Sequence, residues 1–412
     1  MQEEVMWAFR AFAMMIAVNA SLHSVSAMAQ EAWKEPQDSA AAVTDPDRYA
    51  WRLFVALNWP ANVKQRAPDS TKKFGDAAPG PVVWETWRSA NNNAADTAYP
   101  IDGSDPGTWL DKETPADKPI AGLDRGAEQQ RILLESMKRG NTPLPAFEED
   151  IARALENEET VNETRLNQAT FEFVRSKKLY NVDEQIKLFT NRVQTIDFPL
   201  AAKEVKAQWR EIQEADKPRY HWVKSDNGKI YGLTALHITT KDLPKWLWAT
   251  FEHIDNKIPE SQGGRKFNIG WNLKSVDHFA CPQAPHDCEQ APANIGLEGT
   301  KWANYRLRGT QIDFVDSRGN ITLLANSQPE GGFQNTSSCI TCHARSTIGA
   351  TARMSVFKCQ GQGSTGMPSP AWFVDPANNL KFVQLDFVWS LFRARRANHS
   401  GAPPAQDPLC SN

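Results

Sequence analysis

The chain reads as an α+β protein, one large irregular body in which β-hairpins and peripheral helices share a core. Three observations predict this class. Apolar residues recur at helical spacing in the N-terminal part, alternating segments joined by tight turns dominate after residue 218, and neither an internal repeat nor a low-complexity linker divides the 412 residues. Apolar residues make up 41% and charged residues 23%, enough to build a packed core and to exclude wholesale disorder. Residues 30–412 are read as a single domain, preceded by a segment of different character at 1–29.

Taken in order, the first helix begins at Thr44-Asp45-Pro46-Asp47, where a capping Asp precedes a Pro at the first helical position. Ala50, Leu53, Phe54 and Leu57 then mark one face until Pro60 stops the run. Residues 61–127 are rich in Gly, Pro, Asn and Asp, with Trp84, Trp87 and Trp109 among them, and predict long ordered loops with short strands. Helical patterns return at about 128–139, 161–179 and 200–212. Tyr220 to Lys224, the turn Asp226-Asn227-Gly228 and Ile230 to Thr239 predict a hairpin. Trp246 to His253 predicts the next strand, and Asp313 to Leu324 a further hairpin around Ser317-Arg318-Gly319. A last amphipathic helix is expected from about Phe382 to Arg395.

Lys plus Arg number 46 against 49 Asp plus Glu, a net charge of -3, which argues against nucleic acid as a partner because phosphate contacts need a basic excess. Residues 1–29 read as a secretory signal peptide: Arg10, the apolar run Ala11 to Val18, and the small-residue site Ala27-Met28-Ala29. That run is too short and too interrupted to span a bilayer, so no membrane span is expected in the mature chain. An oxidising, periplasmic location follows as the expectation.

The motif that carries chemistry is Cys339-Ile340-Thr341-Cys342-His343, which matches C-x-x-C-H, the attachment signature of c-type haem. Two thiols one helical turn apart add to the haem vinyl groups, and the adjacent His343 reaches the iron from the same face. Ser337 and Ser338 precede the motif as helix caps. A thioredoxin-like pair would want a βαβ setting, a structural zinc site a second ligand pair, and a Cys339–Cys342 disulfide leaves His343 without a role. One motif implies one covalent haem, and the 15 Trp suit either a well-filled core or a large aromatic group. The remaining cysteines, Cys281, Cys288, Cys359 and Cys410, allow three pairings, of which Cys281–Cys288 and Cys359–Cys410 are favoured.

The second axial position decides between functions. His237 and His253 end apolar strand faces, Leu233-Ala235-His237 and Leu247-Ala249-Phe251-His253, and rank first as the further iron ligand beside His343. Met354 and Met367 rank second, and an open site third. A lone His on an apolar face is more often a satisfied core residue, a reading that applies to each of the two.

Tyr231-Gly232-Leu233 through His237, Trp246-Leu247-Trp248-Ala249-Thr250-Phe251-Glu252-His253, and Ser337 through Arg345 together resemble a family of exported bacterial single-haem c-type cytochromes. Glu204 to Trp209 and Phe54 to Pro60 extend the similarity over nearly all of the mature chain. The resemblance implies one covalent haem and a periplasmic location, and it carries no particular activity. The expected function is electron transfer with a redox partner protein. A haem enzyme of peroxidase or oxygenase type, in which His237 or His253 acts in acid–base catalysis, and a small-gas sensor are the alternatives. Among lesser features, Glu252, Glu204 and Lys206 are expected as solvated surface, Arg345 as a candidate partner of a propionate, and Arg393, Arg395 and Arg396 as a solvated helix end or a docking site for an acidic partner.

Overall fold

The computed structural model describes residues 32–76, 80–114, 118, 124–125, 160–256, 291–330, 337–354, 365–397 and 405–407. The expected signal peptide at 1–29, the helix at 128–139, and Cys281, Cys288, Cys359 and Cys410 with their pairing lie outside these residues.

The architecture is α+β, as the mixed periodicities predict. An eight-stranded antiparallel sheet forms its centre: β1 (Arg88–Ser89), β2 (Asp124–Arg125), β3 (Thr160–Leu166), β4 (Lys203–Glu211), β5 (Trp222–Lys224), β6 (Ile230–Thr240), β7 (Leu247–His253) and β8 (Tyr305–Gln311). The order is β8-β7-β6-β4-β3-β1, with β2 added to β3 and β5 to β6. Helices α1 (Ser39–Thr44), α2 (Pro46–Leu57), α3 (Gln168–Ser176), α4 (Val182–Thr190) and α5 (Cys339–His343) surround it.

The expected first helix is α2, started by the Asp45 side chain on the Arg48 amide with Pro46 in the first turn. It packs on β8, β7 and β6, where Trp51 and Phe54 meet Phe251 at 5.0 and 4.5 Å between ring centroids. This sheet face carries the apolar half of each alternation: Val205, Ala207 and Trp209 on β4, Leu236 and Ile238 on β6, Leu247, Ala249 and Phe251 on β7. Asp47, in the first turn of this helix, is buried and accepts from the Thr310 hydroxyl. Burial against that bond, with Asp45 nearby, pushes its carboxyl up to about 7.

Four expected elements differ. The helix expected at 200–212 is instead the central strand β4 (Lys203–Glu211), because Val205, Ala207 and Trp209 alternate with Glu204, Lys206 and Gln208, and period two outweighs the helix propensity of Lys, Glu, Ala and Gln. The helix expected at 161–179 splits into β3 and α3 at Asn167, whose side chain caps α3 by accepting from the Thr170 amide. The expected C-terminal helix is absent: Val383–Gln384 pairs with Thr347–Ile348, and Trp389–Arg393 is a single 3₁₀ segment. The hairpin over Asp313 to Leu324 is reduced to one bridge, Val315 to Ile321. The β5–β6 hairpin and β7 form as expected.

The far edge of the sheet buries a charged network. Glu163 meets Lys118 at 2.6 Å and Arg165 at 2.7 Å, Arg165 meets Asp96 at 2.6 Å, and Glu85 meets Lys118 at 3.0 Å and His221 at 2.9 Å. Burial would raise both glutamates, but the adjacent cations overcome it and hold them below the usual carboxylate range.

Candidate haem site

The second sheet face is polar, and the motif helix α5 faces it. Across the strands, Lys206 pairs with His237 and His237 with Thr250, so these three side chains stand on one face in register. Trp248 and Glu252 flank Thr250 on the same face by alternation. A bulge opposite Gln208 and Trp209 skips Thr234, so Leu233 turns into the apolar core while Ala235 and His237 turn toward the motif. The expected shared face of Leu233 and His237 is thereby broken.

A helix of five residues does not stand alone in water, so α5 depends on its ends. Ser338 caps it, and Gln311 at the end of β8 grips it twice: its amide donates to the Ser338 hydroxyl at 2.9 Å, and its carbonyl accepts from the Ile340 amide at 3.0 Å. Thr341 donates to the Gly366 carbonyl at 2.8 Å. Cys339 and Cys342 are not bonded to each other here. Burial pushes both thiols up, with Glu330 adding to each, opposite to what a reactive thiolate pair requires.

His343 is held in one tautomer. Its Nδ1 lies 2.8 Å from the Phe387 carbonyl, an acceptor only, so Nδ1 carries the proton and Nε2 keeps its lone pair. Trp248 packs against the ring with centroids 4.4 Å apart, and Trp389 stacks on it at 4.8 Å with planes 14° apart. Burial, with Lys206 adding to it against the Phe387 bond, lowers its pKa to about 4.

The Phe387 carbonyl is aimed by a strained strap. Asp386 and Phe387 both have positive φ, +48° and +66°, a region that costs non-glycine residues about 1–3 kcal/mol each. Asp386 is pinned by Lys241 at 2.7 Å and by the Phe198 amide at 2.8 Å. The Ser346 carbonyl accepts from the Leu385 amide at 2.8 Å, and the Ser346 hydroxyl donates to the Val388 carbonyl at 2.7 Å, which ties the strap to the chain leaving α5.

His237 comes to the same place. Burial, then Lys206 and then His343, lowers its pKa to about 3, so it is a neutral imidazole with His343 near enough to affect it. Its Nε2 is buried without a hydrogen-bond partner among the described residues and lies 3.7 Å from the Glu330 carboxylate. Burial pushes Glu330 up to about 7, against Lys206 and the Asn326 amide.

His253 is not brought there. His237 pairs with Thr250, and His253, three residues on, points through the opposite face. Its ring stacks on Tyr220 at 3.7 Å, its Nε2 donates to the Arg219 carbonyl at 3.1 Å, and its Nδ1 accepts from the Asp255 amide at 3.1 Å. With both nitrogens occupied by the protein, it is a core histidine, and the expectation of two strand histidines beside one group is corrected to one. Met354 is fully buried in a separate cluster with Trp372 and Phe382, and Met367 is 67% exposed.

Two polar residues expected on the surface are buried. Glu252 meets Arg306, Arg308 and the Ser327 amide and hydroxyl. Glu204 accepts from Ser390, whose hydroxyl also meets Tyr99 at 2.9 Å, and burial pushes Glu204 up to about 7. Arg345 is buried with its guanidinium over Trp372. Gln311 and the Asp386–Phe387 strap went unnoticed in the sequence, because neither has a signature: a strand-end glutamine and an Asp-Phe dipeptide are both ordinary.

The site thus gathers two thiols one turn apart on α5, a histidine with its Nε2 lone pair available, and a second neutral histidine that affects it. Among the described residues, no group of three or more His, Cys, Asp and Glu side chains is arranged to hold a metal ion directly, and no helix is long and apolar enough to cross a membrane. A scan against protein-family models and searches of curated proteins and of solved structures find no match to this chain.

Proposed function

We propose that this chain is an exported, periplasmic single-haem c-type cytochrome of the family its motifs resemble, and that it transfers electrons to or from a redox partner protein. The observation that carries the reading is the His343 ring, fixed by the Phe387 carbonyl in the tautomer that leaves Nε2 to an iron, beside Cys339 and Cys342 on the same short helix. Cys339 and Cys342 would hold the haem covalently, His343 would take one axial position, and His237 is the best-placed candidate for the other. When bound, the haem supplies a reversible one-electron couple.

The protein's own part is to orient and to shield. Trp248 and Trp389 restrict rotation of the His343 ring, and the Asp386–Lys241 pair holds the carbonyl that defines it. Burial keeps both imidazoles neutral near pH 7, the form in which a histidine ligates.

The test is the visible spectrum of the mature protein from a host competent to attach haem, oxidised, reduced with dithionite, and then exposed to carbon monoxide. Sharp α and β bands unmoved by carbon monoxide are expected. A reduced spectrum that shifts with carbon monoxide would replace electron transfer by the enzyme or sensor readings. Absence of any haem band would remove the haem. Cys342→Ala should abolish haem stain on a denaturing gel, and full stain would refute the attachment.

A further inference from the structure

We propose that Glu204 is where this chain takes up a proton when its haem is reduced, so that electron transfer is coupled to proton transfer at a buried carboxyl. The proposal rests on the haem reading above. Glu204 stands on the polar face of the sheet, two residues before Lys206, which pairs with His237. Its carboxylate accepts from the Ser390 hydroxyl, and the Ser390 oxygen meets the Tyr99 hydroxyl at 2.9 Å. Glu204, Ser390 and Tyr99 are all buried. Ser390 directly follows Trp389, whose ring lies flat on His343. The carboxyl is thus tied by one hydroxyl to the segment that packs on the candidate axial ligand.

No cation holds Glu204 ionised among the described residues. Its strand neighbours are Leu166 on β3 and Thr239 on β6, and the Thr239 hydroxyl donates to the Glu204 backbone carbonyl at 3.2 Å, not to the carboxyl. Further along the same face come Lys206 and, across from it, His237 with Glu330. Arg353 and Arg393 act on Tyr99, and Arg353 is held by the Gln185 side chain at 2.7 Å and the Leu391 carbonyl at 3.3 Å. A buried carboxylate whose partner is one neutral hydroxyl is costly, and burial against that bond pushes the Glu204 carboxyl up to about 7. A change of one charge nearby therefore decides its state. A ferric iron is one unit more positive than a ferrous one and favours the carboxylate; reduction removes that unit and favours the acid. In the coupled step, one electron from the reduced partner protein enters the iron and one proton from solvent adds to a Glu204 carboxylate oxygen, so the charge balances.

The test is the reduction potential of the haem-loaded protein as a function of pH, read by spectroelectrochemistry. The potential should fall between about pH 6 and 8, by up to about 59 mV per unit, the limit for one proton per electron. Glu204→Gln keeps an acceptor for Ser390 and should flatten the slope while the α and β bands stay as they were. A potential independent of pH in the unmodified protein, or a slope retained in E204Q, would overturn the proposal; a slope retained there and lost in E330Q would give the proton to Glu330. If E204Q does not fold, infrared difference spectra of the unmodified protein labelled with 13C-glutamate decide it. Reduction should add a protonated-carboxyl band that shifts with the label and moves again in Ser390→Ala, which removes its hydroxyl partner. No such band, or one that S390A leaves in place, counts against Glu204. A chain without haem bands fails the earlier reading, whereas haem bands with a flat potential fail this one alone.

Discussion

His237 and His253 end similar apolar stretches, yet one stands beside His343 and the other is walled into the opposite face. The difference is parity of register, because His237 pairs with Thr250 and an odd offset from Thr250 reverses the side chain. His253→Ala should cost about 2–4 kcal/mol, from the lost Tyr220 stack and the orphaned Arg219 and Asp255 groups, and leave the visible spectrum unchanged. His237→Ala should do the reverse, converting the iron to high spin with a smaller effect on the denaturation midpoint. A spectral change in the first variant, or none in the second, would exchange their roles. The Cys339–His343 run was legible, as the start of a short helix, because Ser338 reads as its cap. Glu204 and Glu252 were not, since a glutamate reads as solvent-facing until its neighbours are known; Ser390 stands 186 residues from one and Ser327 75 from the other.

Elements were legible where one period dominated. The run in α2 and the Asp-Asn-Gly turn before β6 each carry a single signal, helical spacing or a tight-turn sequence. Residues 203–211 carry two, helix-forming composition and alternation, and only the neighbouring strands β3 and β6 show that alternation wins. Helix α5 is the opposite case: its motif stands out in the sequence and its support does not. Gln311→Ala should leave the Ile340 amide and the Ser338 hydroxyl without their partner and cost about 1–3 kcal/mol. The measurable outcome is a lowered thermal midpoint together with a smaller haem-stained fraction; unchanged values for both would mean that the Ser338 cap alone supports the helix. Asp386→Ala should release the strap from Lys241 and the Phe198 amide, and with it the Phe387 carbonyl. The expected result is a shifted reduction potential with the haem still attached, read by spectroelectrochemistry.

At the scale of the whole molecule, buried acids and buried histidines oppose one another. Asp47 rises to about 7 by burial, so its protonated form is favoured in the folded chain: its contribution is full below pH 3.8 and is lost as pH climbs toward 7. His253 falls to about 4, so its contribution is full above 6.5 and is lost as pH drops toward 4. The opposed slopes flatten the stability curve between about pH 4 and 6.5. Asp47→Asn keeps an acceptor for Thr310 and removes the ionisation, so its advantage over the unmodified protein should grow from pH 4 to pH 7, to a few kcal/mol. Equal denaturation midpoints across that range would show that Asp47 ionises at its ordinary value. The α+β class was legible from the mixture of periodicities, but the two faces of the sheet, one apolar under α2 and one polar under α5, appear only once strand order is known.

The carbonyl that orients His343 belongs to a residue 44 positions further along the chain. Cys-Ile-Thr-Cys-His is therefore not a portable cassette. Moved into another scaffold, the five residues would bring the thiols but leave the imidazole free to spin, and a chain cut before Asp386 would keep the signature intact while losing what aims it.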